Sequence, residues 1–265
     1  IAAAGAGAGA AFTAGMYSLR APSEQKLPYK AAAASPSTTA PVYANASSAV
    51  PIPASGAGPV DPAGLFEYGF PGPVADVATR AALVSSFDRR LRNPHWVVEH
   101  ITPASLAQRD ADRKHSSFLE DEAVPEQFRA KLKDYQRSGY DRGHQVPAAD
   151  AKWSQPAMDG TFYLTNMCPQ VGEGFNRDYW AHFEDFCRRL TVRYPSVRIV
   201  TGPLYLPKKD PADNKWYVKY EVIGSPPNVA VPTHFYKVIF AEDGRAGGNV
   251  ALGAFVLPNA RIPNE

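Results

Sequence analysis

Cysteine is scarce in this chain. Only Cys168 and Cys187 occur among 265 residues, with no C-x-x-C spacing, so neither a disulfide framework nor a cysteine zinc site can be built. An excess of charge of one sign is missing too. The 28 basic and 26 acidic side chains leave a formal net charge of +2, which excludes a histone-like global field and confines any polyanion surface to a local patch. Charge is almost absent from residues 1–60, where Arg20, Glu24, Lys26 and Lys30 stand alone. That stretch runs in Ala, Gly, Ser and Pro and lacks the aliphatic content to bury itself, so it reads as a low-complexity tail and linker. Long, strongly hydrophobic runs are missing as well. Ile1 to Leu19 is uncharged and would reach about 28 Å as a helix, yet it is mostly Ala and Gly, which makes membrane insertion marginal. A start at Ile1 rather than Met implies that upstream residues are missing, and a tail poor in acids after an apolar stretch fits an organellar import or anchoring segment, with a cloning remnant or plain disordered tail as the alternative.

What is present begins near Gly64. From there aromatic and aliphatic residues are spaced among charges without an internal repeat, the composition of one folded domain over residues 61–265. Stretches rich in Val, Ile, Tyr and Phe predict strands at 96–102, 163–166, 197–201, 216–223, 233–240 and 250–257. In one of them Trp216, Val218, Tyr220 and Val222 alternate with Tyr217, Lys219 and Glu221, the period of a strand with one buried face. Short links between consecutive strands imply an antiparallel sheet. Helices are expected at 75–85, 126–136 and 176–192. On the last, Tyr179, Phe183, Phe186, Cys187 and Leu190 share one face, and Asn176, Glu184 and Arg188 share an adjacent stripe. The expected class is α+β, a central antiparallel sheet with flanking helices.

The most informative stretch is Tyr140-Asp141-Arg142-Gly143-His144-Gln145-Val146-Pro147-Ala148-Ala149-Asp150. A lone histidine at a strand end is more often structural than catalytic, but here Asp141 and Arg142 precede it and Gly143 permits a close backbone approach. The ordered series Asp141-Arg142-Gly143-His144, Thr161-Phe162-Tyr163-Leu164-Thr165-Asn166, Pro169-Gln170, then Asn176 with Trp180, Glu184 and Arg188, resembles the DNA/RNA non-specific endonucleases of the ββα-metal type. Within them it is most similar to the mitochondrial endonuclease G branch. Tyr68-Gly69-Phe70-Pro71-Gly72, Trp96-Val97-Val98-Glu99, Thr201-Gly202-Pro203-Leu204 and Val231-Pro232-Thr233-His234-Phe235 extend the resemblance over residues 64–259. Two departures stand out. The loop from Val171 to Phe175 is one residue longer than the family pattern, and the chain ends at Glu265, where family members continue, so the domain is expected to be shortened at its C-terminus.

The resemblance implies a ββα-metal active-site motif and a phosphodiesterase mechanism. His144 would be the general base, and Asn176 the one direct protein ligand of a divalent ion, Mg²⁺ with Mn²⁺ as a substitute. Glu184 would hold metal-bound water, although by itself it reads as a helix acid paired with Arg188 at i, i+4. Arg142, Arg188 and Arg113 would contact phosphates, and Asn166 would contact substrate or buttress the site. Asp141 is expected to orient the motif. His95, His100, His115, His182 and His234 show no metal spacing and read as structural or surface residues. The substrates implied are double- and single-stranded DNA and RNA, cut to 5′-phosphate and 3′-hydroxyl ends. A homodimer is implied too, located in the mitochondrial intermembrane space or at the inner membrane through residues 1–19, with release to the nucleus. The alternatives are a mitochondrial 5′ exo/endonuclease relative and a catalytically silent nucleic-acid-binding scaffold.

Overall fold

The computed structural model describes residues 17–19, 65–66, 68–245 and 248–263. The expected tail and membrane segment therefore lie outside the described residues, apart from the backbone of Tyr17–Leu19. No helix among the described residues is long and apolar enough to cross a membrane. Strands β1 (Tyr17–Leu19), β2 (Ala78–Arg80), β3 (Leu83–Asp88) and β4 (Asn93–Ile101) join β7 (Ser196–Leu204), β12 (His234–Glu242) and β13 (Val250–Pro258) in one antiparallel sheet. Its order is β1-β13-β12-β7-β4-β3-β2. Two-stranded ladders pair β5 (Asp141–His144) with β6 (Met167–Gln170), β8 (Lys208–Lys209) with β9 (Trp216–Tyr217), and β10 (Val222–Ile223) with β11 (Val229–Ala230). The α-helices are α1 (Pro103–Ala107), α2 (Leu132–Tyr135), α3 (Gln155–Gly160) and α4 (Tyr179–Leu190). The α+β class with a central antiparallel sheet is as the sequence predicts.

Strand register decides which residues share a face, because successive side chains point to opposite sides. Val84, Val98, Val200 and Val238 lie abreast on one face and pack with Leu65 and Trp96. The other face carries the rows Val97-Thr201-Lys237 and Glu99-Ile199-Ile239. Helix α4 covers this second face, seating Cys187, Phe183 and Leu190 on Ile101, Val197, Ile199 and Ile239. Trp180, fully buried, closes its N-terminal end against Phe175, Phe235 and Leu257. Each such side chain removed from water stabilises the fold by on the order of 2 kcal/mol, which clamps α4 to the sheet.

Several expected elements differ. The segment expected as helix 75–85 forms β2 and β3, because Leu83 to Phe87 is buried on both faces between β2 and β4. The residues expected as strand 163–166 form a 3-10 turn, Leu164–Asn166, and the strand starts at Met167. Only the ends of the expected strand 216–223 are paired, and Trp216 to Val222 is exposed throughout, so its alternation buries no face. The expected helix 126–136 divides into a turn, Glu126–Phe128, and α2, where the Asp134 carboxylate accepts from the Lys131 amide and starts a new helix. Asn176 lies three positions before α4 rather than on it.

Strands β5 and β6 cross with Asp141 opposite Gln170 and Gly143 opposite Cys168. Gly143 is required by packing: a Cβ there would stand 1.9 Å from Gln170 Oε1, and Gln170 is fully buried. Replacing Gly143 by Ala is therefore expected to lower unfolding free energy by about 1–3 kcal/mol. Urea titration should show most of that loss recovered in the Gly143→Ala/Gln170→Ala double variant.

Candidate active site

The loop after β6 forms a wide turn, Gly172–Asn176, in which the Asn176 and Arg177 amides donate to the Val171 and Gly172 carbonyls at 2.9 and 3.0 Å. Gly174 sits at φ +76°, a left-handed conformation that favours glycine. The turn swings Asn176 back onto β5. There Asn176 Nδ2 donates to Asp141 Oδ2 at 2.9 Å, and because a carboxylate only accepts, the amide oxygen is the atom left for a ligand. Arg177 grips the same carboxylate with two hydrogen bonds of 2.8 and 2.6 Å. Burial would raise the Asp141 pKa, but the bonds from Arg177 and Asn176 hold it below the ordinary carboxylate value. Asp141 thus orients the motif through an arginine that sequence reasoning did not single out.

His144 ends β5 and is 9% exposed. Phe162 stands edge-on to the imidazole at 4.9 Å and Phe118 lies at 5.7 Å. Desolvation, followed by the Arg113 charge, lowers its pKa to about 3, so the ring is neutral at pH 7. Its Nε2 is buried without a protein partner. Beside it opens a cleft of about 520 Å³ lined by Arg113, Arg142, Tyr140, Asn176 and Arg177. Arg142 lies 4.2 Å over the Phe118 ring and Arg113 lies 5.5 Å over Phe162. Arg142, Arg113 and Asn176 thus line one opening, and His144 stands behind its Phe118 wall.

Asn166 does not belong with the substrate contacts. It is 1% exposed, its Oδ1 accepts from the Val146 amide at 3.0 Å, and its Nδ2 donates to the Val146 and Thr161 carbonyls at 3.0 and 2.8 Å. This committed amide buttresses the backbone behind His144. The expected i, i+4 pair of Glu184 with Arg188 is likewise replaced: Arg188 donates to Asp150 at 2.9 Å and approaches Asp185 at 3.7 Å. Burial pushes the Glu184 carboxyl up to about 7 against the pull of Lys237.

Beneath the site lies a buried charge cluster. Lys237, 1% exposed, donates to Thr201 Oγ1 at 2.8 Å and to the Gln145 carbonyl at 3.3 Å, next to the general-base candidate. Burial, then the Asp150 carboxylate, push the Glu99 carboxyl well above the ordinary carboxylate range. Asp150, also raised by burial, is stabilised in its charged form by Arg188. Sequence reasoning missed Glu99, Asp150 and Lys237, although charged residues at inward positions of alternating strands, as in Val97-Glu99-Ile101 and Phe235-Lys237-Ile239, are the available signal.

The donor set was tested against a metal. Among the described residues no group of three His, Cys, Asp or Glu side chains could hold an ion. The arrangement fits a water-rich hard cation that takes a single neutral protein oxygen, that of Asn176.

Comparison with known proteins agrees with this geometry. A family model described as DNA/RNA non-specific endonuclease matches residues 61–265. The Saccharomyces cerevisiae "Mitochondrial nuclease" is 68% identical over 209 residues, 78% of this chain and 64% of that protein. The human "Endonuclease G, mitochondrial" is 46% identical, covering 75% of this chain and 64% of its own length. The chain thus spans slightly under two thirds of these relatives. Among solved structures, the EndoG/EndoGI complex contains a chain 50% identical with a TM-score of 0.71, covering 76% of this chain and 80% of that one.

Two measurements follow. Because the folded His144 pKa is depressed below the unfolded value of about 6.5, its contribution to stability is intact above pH 6.5 and is lost as pH falls toward 3. Chemical denaturation should show a loss of about 2 kcal/mol between pH 7 and 5 that His144→Asn abolishes. In the cluster, burial disfavours the charged form of Glu99, so Glu99→Gln should cost little stability, whereas Asp150→Asn removes the charged partner of Arg188 and should cost on the order of 3 kcal/mol. Equal losses in urea would contradict that ordering.

Proposed function

Given that the chain belongs to the DNA/RNA non-specific endonuclease family, we propose that it is a metal-dependent hydrolase that cuts internal phosphodiester bonds of DNA and RNA without sequence readout. The observation that carries this reading is a neutral, buried His144 at the edge of an arginine-lined cleft that also receives the free oxygen of Asn176. His144 takes the proton from the water that attacks phosphorus, and the P–O3′ bond breaks to leave 5′-phosphate and 3′-hydroxyl ends. Its low pKa keeps the imidazole unprotonated, and phosphate bound beside it raises its basicity as the reaction needs. Arg142 and Arg113 hold the phosphate oxygens from the cleft wall, and Arg188, held by Asp150, supplies a further guanidinium. A divalent cation, Mg²⁺ or Mn²⁺, would be held by Asn176 directly and by Glu184 through water, and when bound it supplies charge neutralisation at the phosphoryl and leaving oxygens.

Contacts confined to phosphate and sugar give no sequence information, which supports broad action on both nucleic acids. The names of the yeast and human relatives place those proteins in mitochondria, and a mitochondrial location belongs to the same reading. So does a homodimer, which rests on the resemblance alone.

The test compares the full chain with His144→Ala on closed supercoiled plasmid and on single-stranded RNA, each with Mg²⁺ and with chelator. Cleavage of both by the parent only with metal, and loss of at least about 100-fold in His144→Ala, is the expected result. A closed circle has no end, so its cleavage separates endonuclease from exonuclease action. Failure of the folded parent to cut either substrate would favour the binding-scaffold alternative. With three arginines on phosphates, kcat/KM should also fall at least about tenfold between 50 and 200 mM salt.

A further inference from the structure

The segment between β7 and β12 supplies none of the groups assigned to the cleft chemistry, yet it carries exposed aromatic and basic side chains. β8 and β9 pair Lys208 opposite Tyr217 and Lys209 opposite Trp216, so each face of this short ribbon presents a ring beside a lysine. Trp216 is 66% exposed and makes no ring contact among the described residues. The acids of the intervening loop are engaged locally. Asp210 accepts from Lys219 at 2.6 Å, and Asp213 accepts from the Tyr217 hydroxyl and the Lys215 amide. Lys208, Lys209 and Lys215 have no acidic partner among the described residues. A cavity of about 580 Å³ opens along the ribbon, lined by Lys208, Lys209, Lys219, Tyr217 and His234.

The chain that leaves β9 reaches the cleft wall four residues on, at Glu221. Tyr140, which lines the cleft beside Asp141, donates its hydroxyl to Glu221 at 2.7 Å. Tyr220, next to it, stacks edge-on against Tyr205 at 4.9 Å. Unpaired cations offset phosphate charge, and an unpartnered indole offers a flat apolar face that an unstacked base fits and a base locked in a duplex cannot reach.

We propose that the β8–β9 ribbon is an auxiliary polynucleotide site that holds an unpaired strand flanking the cut, stacking a base on Trp216 and neutralising phosphates with Lys208, Lys209 and Lys215. This rests on the nuclease reading for its substrate class, but its test does not require turnover. Anisotropy of a labelled 20-mer oligothymidylate, titrated with the full chain in chelator, reads the ribbon directly. Trp216→Ala and Lys208→Glu/Lys209→Glu are each expected to weaken binding about tenfold, and Trp216→Phe to restore it. All are exposed positions away from the core, and cleavage of thymidine 3′,5′-bis(p-nitrophenyl phosphate) with Mg²⁺ should be unchanged because that small diester reaches only the cleft. Unaltered oligonucleotide affinity in both variants overturns the proposal. Equal weakening for a blunt duplex overturns the assignment of an unpaired strand. Failure of the parent chain to cleave the small diester would instead count against the nuclease reading and leaves the binding result to stand by itself.

Discussion

A lysine buried at the centre of a sheet has to be balanced, and much of this molecule is arranged around that requirement. Lys237 lies between Thr201 and the Gln145 carbonyl, with Trp180 4.9 Å away. Its field reaches Glu99, Asp150 and Glu184. An isolated ammonium in such a place would cost several kcal/mol. The acids that feel it come from β4, from the turn after β5 and from α4, so one buried charge ties three elements to the sheet. Asp150 also holds Arg188, and the Gln145 contact holds the strand end that carries His144. The cleft stands on this buried cluster.

Above that foundation the cleft is electrostatically one-sided. Arg113, Arg142 and Arg177 converge on it, and Asp141, tied to Arg177 and Asn176, is the carboxylate at its wall. This arrangement explains how a chain with almost no net charge can address a polyanion: the positive field is local and directed into a cavity. It also explains why His144 stays neutral, since two aromatic rings exclude water from it and a guanidinium opposes its protonation.

How much of this was legible beforehand varies with the kind of information. The grouping of His144, Arg142, Arg113 and Asn176 came from the resemblance, which carried an arrangement that no periodicity argument could supply, and the four lie at or beside one cleft. Long-range pairing was less accessible. The Ala-rich stretch before Leu83 has helical composition, but the partners that bury it as β2 and β3 are strand β4 and the segment beyond, and local propensity does not see them. Trp216 to Val222 shows the reverse: its alternation is that of a strand, and among the described residues nothing buries either side of it. Asn166 was grouped with substrate contacts since an amide can serve either purpose, and only its three backbone hydrogen bonds decide between them. The helical-wheel placement of Asn176 failed for a definite reason: Asn176 closes the wide turn Gly172–Asn176, and the helix begins only at Tyr179.

That turn is held from far along the chain. The Asn259 side chain accepts from the Val171 amide and donates to the Pro169 and Pro232 carbonyls, while the Ile262 amide donates to the Gly174 carbonyl at 3.1 Å. Residues some 90 positions downstream therefore latch the loop that presents Asn176. During synthesis β5, β6 and α4 emerge well before this latch, and until it closes the loop lacks the backbone partners that set its shape. The order of translation therefore delivers the latch residues long after the loop they hold, so the segment that presents Asn176 takes its final shape only once Asn259 and Ile262 have joined it.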